Sequence, residues 1–308
     1  MTGSRKGAAM RWEGRRESDQ VEDRRGARFP GGRGGLAVGG GCGTLILVLV
    51  ISYLTGVDPR ALLQTVESVQ PGAPAGVDTT GPLGPAGPQA SGDAGEDQLA
   101  HFAAVVLADT EETWSGIFRE RGRQYRLPTL VLFREGVQSA CGIAGSAVGP
   151  FYCPGDEKLY LDLGFFEQLA RQFGAPGDFA QAYVIAHEIG HHVQNQLGIA
   201  ERVTAAQQNA GSREEANELS VRMELQADCL AGVWGRSAAG RGLLEPGDAE
   251  EGLRAAQAIG DDRMQRMAQG YVAPETWTHG SSEMRVHWLR RGLESGDPDQ
   301  CDTFGGQL

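Results

Sequence analysis

The chain has 308 residues, 46 of them glycine, and a net charge of −12. That length suits one large domain or two small ones. Residues 1–35 hold nine Lys/Arg against five Asp/Glu, so the remainder carries −16. A body this acidic excludes a nucleic-acid partner, because phosphate binding needs basic patches.

Taken in chain order, the basic segment 1–35 reads as a cytoplasmic tail. Leu36 to Leu54 then runs 19 residues without a charge, close to the length a helix needs to cross a bilayer. Arg24, Arg25, Arg28 and Arg33 precede this run. The positive-inside rule therefore predicts a single-pass anchor over 36–56, with the N-terminus in the cytoplasm, the rest outside and the lipid bilayer as partner. Residues 71–97 are rich in Pro, Gly and Ala and too poor in large apolar side chains to fold, so the segment 57–97 reads as a linker. A folded domain is expected over 98–308.

Within it, Leu99, Phe102, Val106, Leu107, Trp114, Ile117 and Phe118 recur at helical spacing. "LPTLVLF" (127–133) reads as a buried strand. In "KLYLDLGFF", Leu159, Leu161 and Leu163 alternate with Tyr160 and Asp162, which predicts a strand, either an edge that pairs with an extended substrate or a core strand. Asp178 is placed to cap a helix ending at Gly198. Further helices are predicted over about 212–235, 247–268 and 280–293. Helix, strands, then helices make an α+β domain with a small sheet and a helix-rich second half. Four of the five cysteines fall in this domain, and Cys141–Cys153 and Cys229–Cys301 are expected to pair in an oxidising exterior.

Half of the six histidines lie in "AHEIGHHVQNQLG". His187 and His191, four residues apart on a helix, share one face and can bind a single cation. Zinc suits two imidazoles with one coordination position left for water. Glu188, beside the metal rather than on it, is placed to take a proton from that water and return it to a leaving amine. This HExxH pattern reads as a metallopeptidase site. Gly190 is expected to leave room near the metal, and His192 points away and reads as structural. Position 197 is leucine, so no third histidine follows at metzincin spacing. Glu224 is the expected third ligand, because a carboxylate between Met223 and Leu225 in an apolar stretch needs a partner. Glu214, Glu215 and Glu218 read as a solvated face. Asp228, one turn on, is placed to accept a hydrogen bond from a ligand histidine. His279 is a candidate to stabilise the oxyanion, as are Tyr160 and Tyr271, while the other reading is that His279 and Ser281 cap the helix that starts there. No GxSxG elbow is present to support a serine hydrolase.

"HEIGHHVQNQLG", "ELQADCLAGVWG", "THGSSEMRVHWLRRG" and "GDPDQCDTF" resemble the bacterial neutral zinc metallopeptidase family over roughly residues 96–305. The resemblance implies a zincin-like domain on a membrane anchor, one Zn2+ per chain held by His187, His191 and Glu224, Glu188 as catalytic residue, and a peptide or protein substrate. It also implies glutamine where this chain has Met284. The function expected is therefore a membrane-anchored, extracytoplasmic peptidase. Two other readings stay open: a proteolytically silent, zinc-stabilised envelope-binding domain, and a metal-dependent amidase of cell-wall peptides.

Overall fold

The long amphipathic pattern forms one helix, α1 (Ala94–Glu120), which begins inside the expected linker, whose residues 57–93 lie outside the described residues, and buries Phe102, Val106, Leu107, Trp114 and Phe118. The structure is a computed structural model that describes residues 9–27, 94–145 and 148–306. Two apolar strands follow α1: β2 (Thr129–Phe133) and, after an excursion, β6 (Lys158–Asp162). They pair in parallel, with Val131 opposite Tyr160. Successive strand side chains point to opposite faces, so Leu130, Leu132, Leu159 and Leu161 enter the main core, while Val131, Phe133 and Tyr160 join a second cluster with Val137, Ala144 and Cys153.

That second cluster lies under an unforeseen hairpin, β3 (Gly136–Ser139) and β4 (Gly142–Gly145). Strand β5 (Phe151–Cys153) pairs antiparallel with β6, and β1 (Val21–Asp23) pairs parallel with β2, giving the order β1-β2-β6-β5. "KLYLD" is therefore an inner strand, not an edge, and the edge toward the helices is β5.

The second half is helical: α2 (Gly164–Arg171), α3 (Asp178–Gln196), α4 (Ile199–Gln208), α5 (Arg213–Gly240), α6 (Asp248–Ala258), α7 (Asp261–Gln269) and α8 (Ser282–Ser295). The mixed α+β class with a helix-rich second half is as expected; α2 and α4 are additional. Asp178 is the first residue of α3 rather than its side-chain cap. The predicted helix 247–268 is broken at Ile259–Gly260, because Asp261 turns to bind the segment before α8: its N–H donates to Gly280 O, and its Oδ2 accepts the N–H groups of Thr278, His279 and Gly280.

Both expected disulfides form, Cys141–Cys153 across 12 residues and Cys229–Cys301 across 72. Loop-closure entropy puts their stabilisation at about 3 and about 4 kcal/mol. Cys42 lies outside the described residues.

The single-pass topology is corrected. Among the described residues no helix is long and apolar enough to cross a membrane, and the 36–56 stretch lies outside them. The basic N-terminal segment also supplies β1 to the same sheet as β2. Its Met10 and Val21 belong to the main core, and Arg11 N–H and Ser18 N–H donate to Leu243 O and Ala104 O. A span placing the N-terminus and residues 57–308 on opposite sides would put two hydrogen-bonded strands on opposite sides of a bilayer.

Candidate metal centre

Helical spacing puts Tyr183, His187 and His191 on one face of α3. The imidazoles of His187 and His191 lie 4.9 Å apart, centroid to centroid, with perpendicular planes. Facing them, Glu224 of α5 reaches His187 Nε2 with Oε2 at 3.1 Å and His191 Nε2 with Oε1 at 3.5 Å. One atom from each of the three side chains lies within 4.8 Å of the others.

The far nitrogen of each imidazole is already engaged. His187 Nδ1–H donates to Asp228 Oδ1 at 2.8 Å, and His191 Nδ1–H donates to Gln194 Oε1 at 2.8 Å. Gln194 is in turn anchored to Met223 O and Gln226 Oε1, and Gln226 to Cys301 O beside the disulfide. With Nδ1 engaged, Nε2 is the nitrogen each histidine turns toward Glu224, and it binds a cation by giving up its proton there.

Close approach of the helices makes this convergence possible. A Cβ on Gly190 would meet the Ala227 Cα and carbonyl oxygen at 3.0 Å. The room this glycine leaves is thus filled by α5, not by the metal. Gly292 and Gly232 do the same between α8 and α5, where added Cβ atoms would strike the carbonyls of Cys229 and Leu289. Arg285 of α8 thereby reaches Asp228, donating through Nε to Oδ2 at 2.8 Å and through Nη2 to Oδ1 at 2.9 Å. Tyr183 O–H adds a third donor to Asp228 at 2.5 Å.

The electrostatics favour positive charge at the centre. Burial alone would lower the His187 pKa, but Asp228 and Glu224 outweigh it and raise it to about 10. Burial would raise Asp228, yet Arg285 and His187 bring it down to about 2. Burial would likewise raise Glu224, and His191 and His187 hold it well below the usual carboxylate range.

Zinc fits this donor set. Two imidazole nitrogens and a carboxylate oxygen are its usual ligands, and tetrahedral bonds of about 2.1 Å set ligand atoms about 3.4 Å apart, against 3.1 and 3.5 Å here. The three residues singled out from the sequence are brought together.

Glu188 sits on the same helix, 9% exposed, with Oε2 accepting the Tyr152 N–H of β5 at 2.8 Å. Its pKa is raised by burial, against the lowering pull of His191 and His187. His192 is structural as expected: fully buried, it accepts Tyr152 O–H at Nδ1 and donates from Nε2 to Arg126 O. His279 is held through Nδ1 by Asp261 at 3.2 Å. Burial lowers its pKa, but Asp261 and the charge of Glu224 together raise it, which places it within electrostatic reach of the centre. Ser281 caps α8 by accepting Met284 N–H. Tyr160 is turned into the second core cluster, its O–H donating to Asp156 Oδ2, and Tyr271 is exposed. Met284 packs against the main core.

Sequence reasoning missed Tyr183, Gln194, Asp261 and Arg285. The signal for Arg285 was available: it lies three, four and seven residues before Trp288, Leu289 and Gly292, on the buried face of α8.

A family model described as "Putative neutral zinc metallopeptidase" matches residues 10–304. The chain is 49% identical over 317 residues to "Uncharacterized protein YpfJ" of Escherichia coli K12, covering 97% of this chain and 100% of that one. It is 41% identical over 264 residues to "Uncharacterized protein Rv2575" of Mycobacterium tuberculosis H37Rv, covering 82% of this chain and 85% of that one. No solved structure matches. The family match begins at residue 10, where the described N-terminal segment enters the core. The chain therefore belongs to the neutral zinc metallopeptidase family that this model describes.

Proposed function

We propose that the chain hydrolyses peptide bonds in a protein or peptide substrate, with one zinc ion held by His187, His191 and Glu224 and with Glu188 as the general base. The observation that carries this reading is the pairing of a three-ligand cation site with a separate buried carboxylate on the same helix. A purely structural zinc site is closed by four protein ligands and has no use for such a base. When bound, zinc supplies Lewis acidity to the attacking water and the scissile carbonyl.

The chain's own residues do the rest. Glu188 spends Oε2 on the Tyr152 N–H, which leaves Oε1 to take the proton of the attacking water. Its raised pKa suits it to hold that proton and pass it to the departing amine as the C–N bond breaks. Asp228 and Gln194 keep the imidazoles aimed. His279, fixed by Asp261, is the donor assigned to the carbonyl oxygen as negative charge develops on it. Strand β5 is a sheet edge beside Glu188, and an extended peptide can lie along such an edge. A small sheet whose edge runs beside the HExxH helix supports a zincin-like reading of the domain.

The test is cleavage of an unfolded protein by the full chain. Wild type is expected to cleave, to lose activity on chelation and to regain it with zinc, while Glu188→Gln stays inactive in every condition. Equal cleavage by wild type and Glu188→Gln would remove Glu188 from the mechanism. Zinc-loaded protein inactive on every substrate offered, cell-wall peptides included, would favour a silent binding domain.

A further inference from the structure

At the opposite end of the zinc-ligand helix, three carboxylates meet. Asp178 opens α3, and Asp248 and Glu251 lie in the first turn of α6. An oxygen from each lies within 4.8 Å of the others. Asp178 Oδ2 accepts Met10 N–H and Asp248 Oδ2 accepts Glu245 N–H, both at 2.7 Å, and the Phe179 N–H at the start of α3 favours charge on Asp178 and Glu251. Asp248 is 0% exposed, yet its Oδ1 has no hydrogen-bond partner among the described residues, and neither has the buried Oε2 of Glu251. Among those residues none of the three carboxylates forms an ion pair, although Arg254 is near enough to favour charge on Glu251.

Buried, partnerless carboxylate oxygens are costly unless a proton or a cation meets them. Burial, followed by the charges of neighbouring acids, raises Asp248 to about 6 and also raises Glu251; burial raises Asp178. The backbone is shaped to admit the cluster. Gly177, at φ 142°, is where an added Cβ would strike the Glu251 carboxylate. Glycine alone takes that conformation without strain and leaves that space.

We propose that Asp178, Asp248 and Glu251 form a second, separate metal site for a hard divalent cation, calcium. The donors are all oxygen, which selects against zinc and for calcium, whose flexible shell of six to eight oxygens accepts carboxylates with water completing it. The site lies nine residues from His187 along α3, roughly 14 Å at the rise of an α-helix. It takes no part in hydrolysis. It ties together the starts of α3 and α6 and, through Asp178, the N-terminal segment at Met10. The rival account is that two helix N-termini and shared protons suffice for the three acids.

The experiment uses the full chain, stripped with chelator and reloaded with one equivalent of zinc. CaCl2 or MgCl2 is then titrated while thermal unfolding is followed. Terbium luminescence is read in parallel, sensitised by Trp234, which stacks on Phe179 next to Asp178 at 5.9 Å. A saturable rise of several degrees with CaCl2 is expected, together with terbium emission that calcium displaces. Asp248→Asn and Glu251→Gln should lose both responses while keeping their zinc. Should Asp248→Asn fail to fold, the half-buried Glu251→Gln carries the test. A melting temperature indifferent to both salts would overturn the proposal, with Asp248→Asn then more stable than wild type as proton sharing requires. A response to MgCl2 alone would overturn the choice of calcium, and a response that persists in both variants would place the ion elsewhere.

Discussion

Arg285 clasps Asp228 with two hydrogen bonds, at 2.8 and 2.9 Å, and Asp228 in turn holds His187 Nδ1 at 2.8 Å. A buried guanidinium on α8 thus fixes the tautomer and tilt of an imidazole on α3. Arg285 and Asp228 are 3% and 0% exposed, and removing one partner of a buried pair costs about 3–5 kcal/mol. Arg285→Met should lose about that much in urea unfolding. Asp228→Asn keeps an acceptor for Nδ1–H but not the charge, and should bind zinc about 10- to 100-fold more weakly. Unchanged zinc affinity in Asp228→Asn would show that the imidazole is aimed by something else.

His279 should matter to the rate and not to the metal. With Nδ1 on Asp261, it has its other nitrogen for the substrate oxygen. His279→Ala is expected to retain one zinc and to lose about 100- to 1000-fold in kcat, with KM little changed. A matched loss of zinc would make His279 part of the metal's support instead.

The approach of α3 to α5 can be tested at one atom. Gly190→Ala adds a Cβ that meets Ala227 at 3.0 Å. Neither backbone can yield cheaply, so overpacking should cost about 1–3 kcal/mol. Because Glu224 rides on α5, zinc affinity should fall with stability. A stable Gly190→Ala protein with normal zinc affinity would show that the helices have slack.

Acid dependence should appear at the joint between the N-terminal segment and α1. Glu111 is 5% exposed and accepts hydrogen bonds from Ser18 and Arg16. Burial raises its pKa above 4.5, only partly offset by those partners. The folded state then holds a proton that the unfolded chain has released, so this residue's contribution to stability falls as pH rises from about 4.5 toward neutrality. Glu111→Gln should flatten that slope and be relatively more stable at pH 7 than at pH 4. A variant slope identical to that of wild type would mean that the partners fully compensate the burial.

What was legible in the sequence was local. The helical period puts His187 and His191 on one face, and a lone carboxylate in an apolar stretch marks Glu224; both follow from neighbours within a few turns. Strand β6 was recognised from alternation, but alternation does not tell an edge from an inner strand, because strand order is decided by β1 and β5, which arrive from other parts of the chain. The break at Gly260 was hidden for the same reason: Asp261 is held by residues 278–280, beyond any local window. The longest-range relation was misread most. The charge pattern before the apolar run suggested sidedness, whereas Val21–Asp23 pairs with Leu130–Leu132.

The proposed division of roles gives three side chains the metal and a fourth the proton chemistry. Zinc content of the purified full chain tests it most directly, measured after dialysis against a weak chelator for wild type, Glu224→Gln and Glu188→Gln. One zinc per chain is expected in wild type and Glu188→Gln, and substoichiometric zinc in Glu224→Gln. Full zinc in Glu224→Gln, or its loss in Glu188→Gln, would contradict the division of roles; no zinc in wild type would contradict the centre itself.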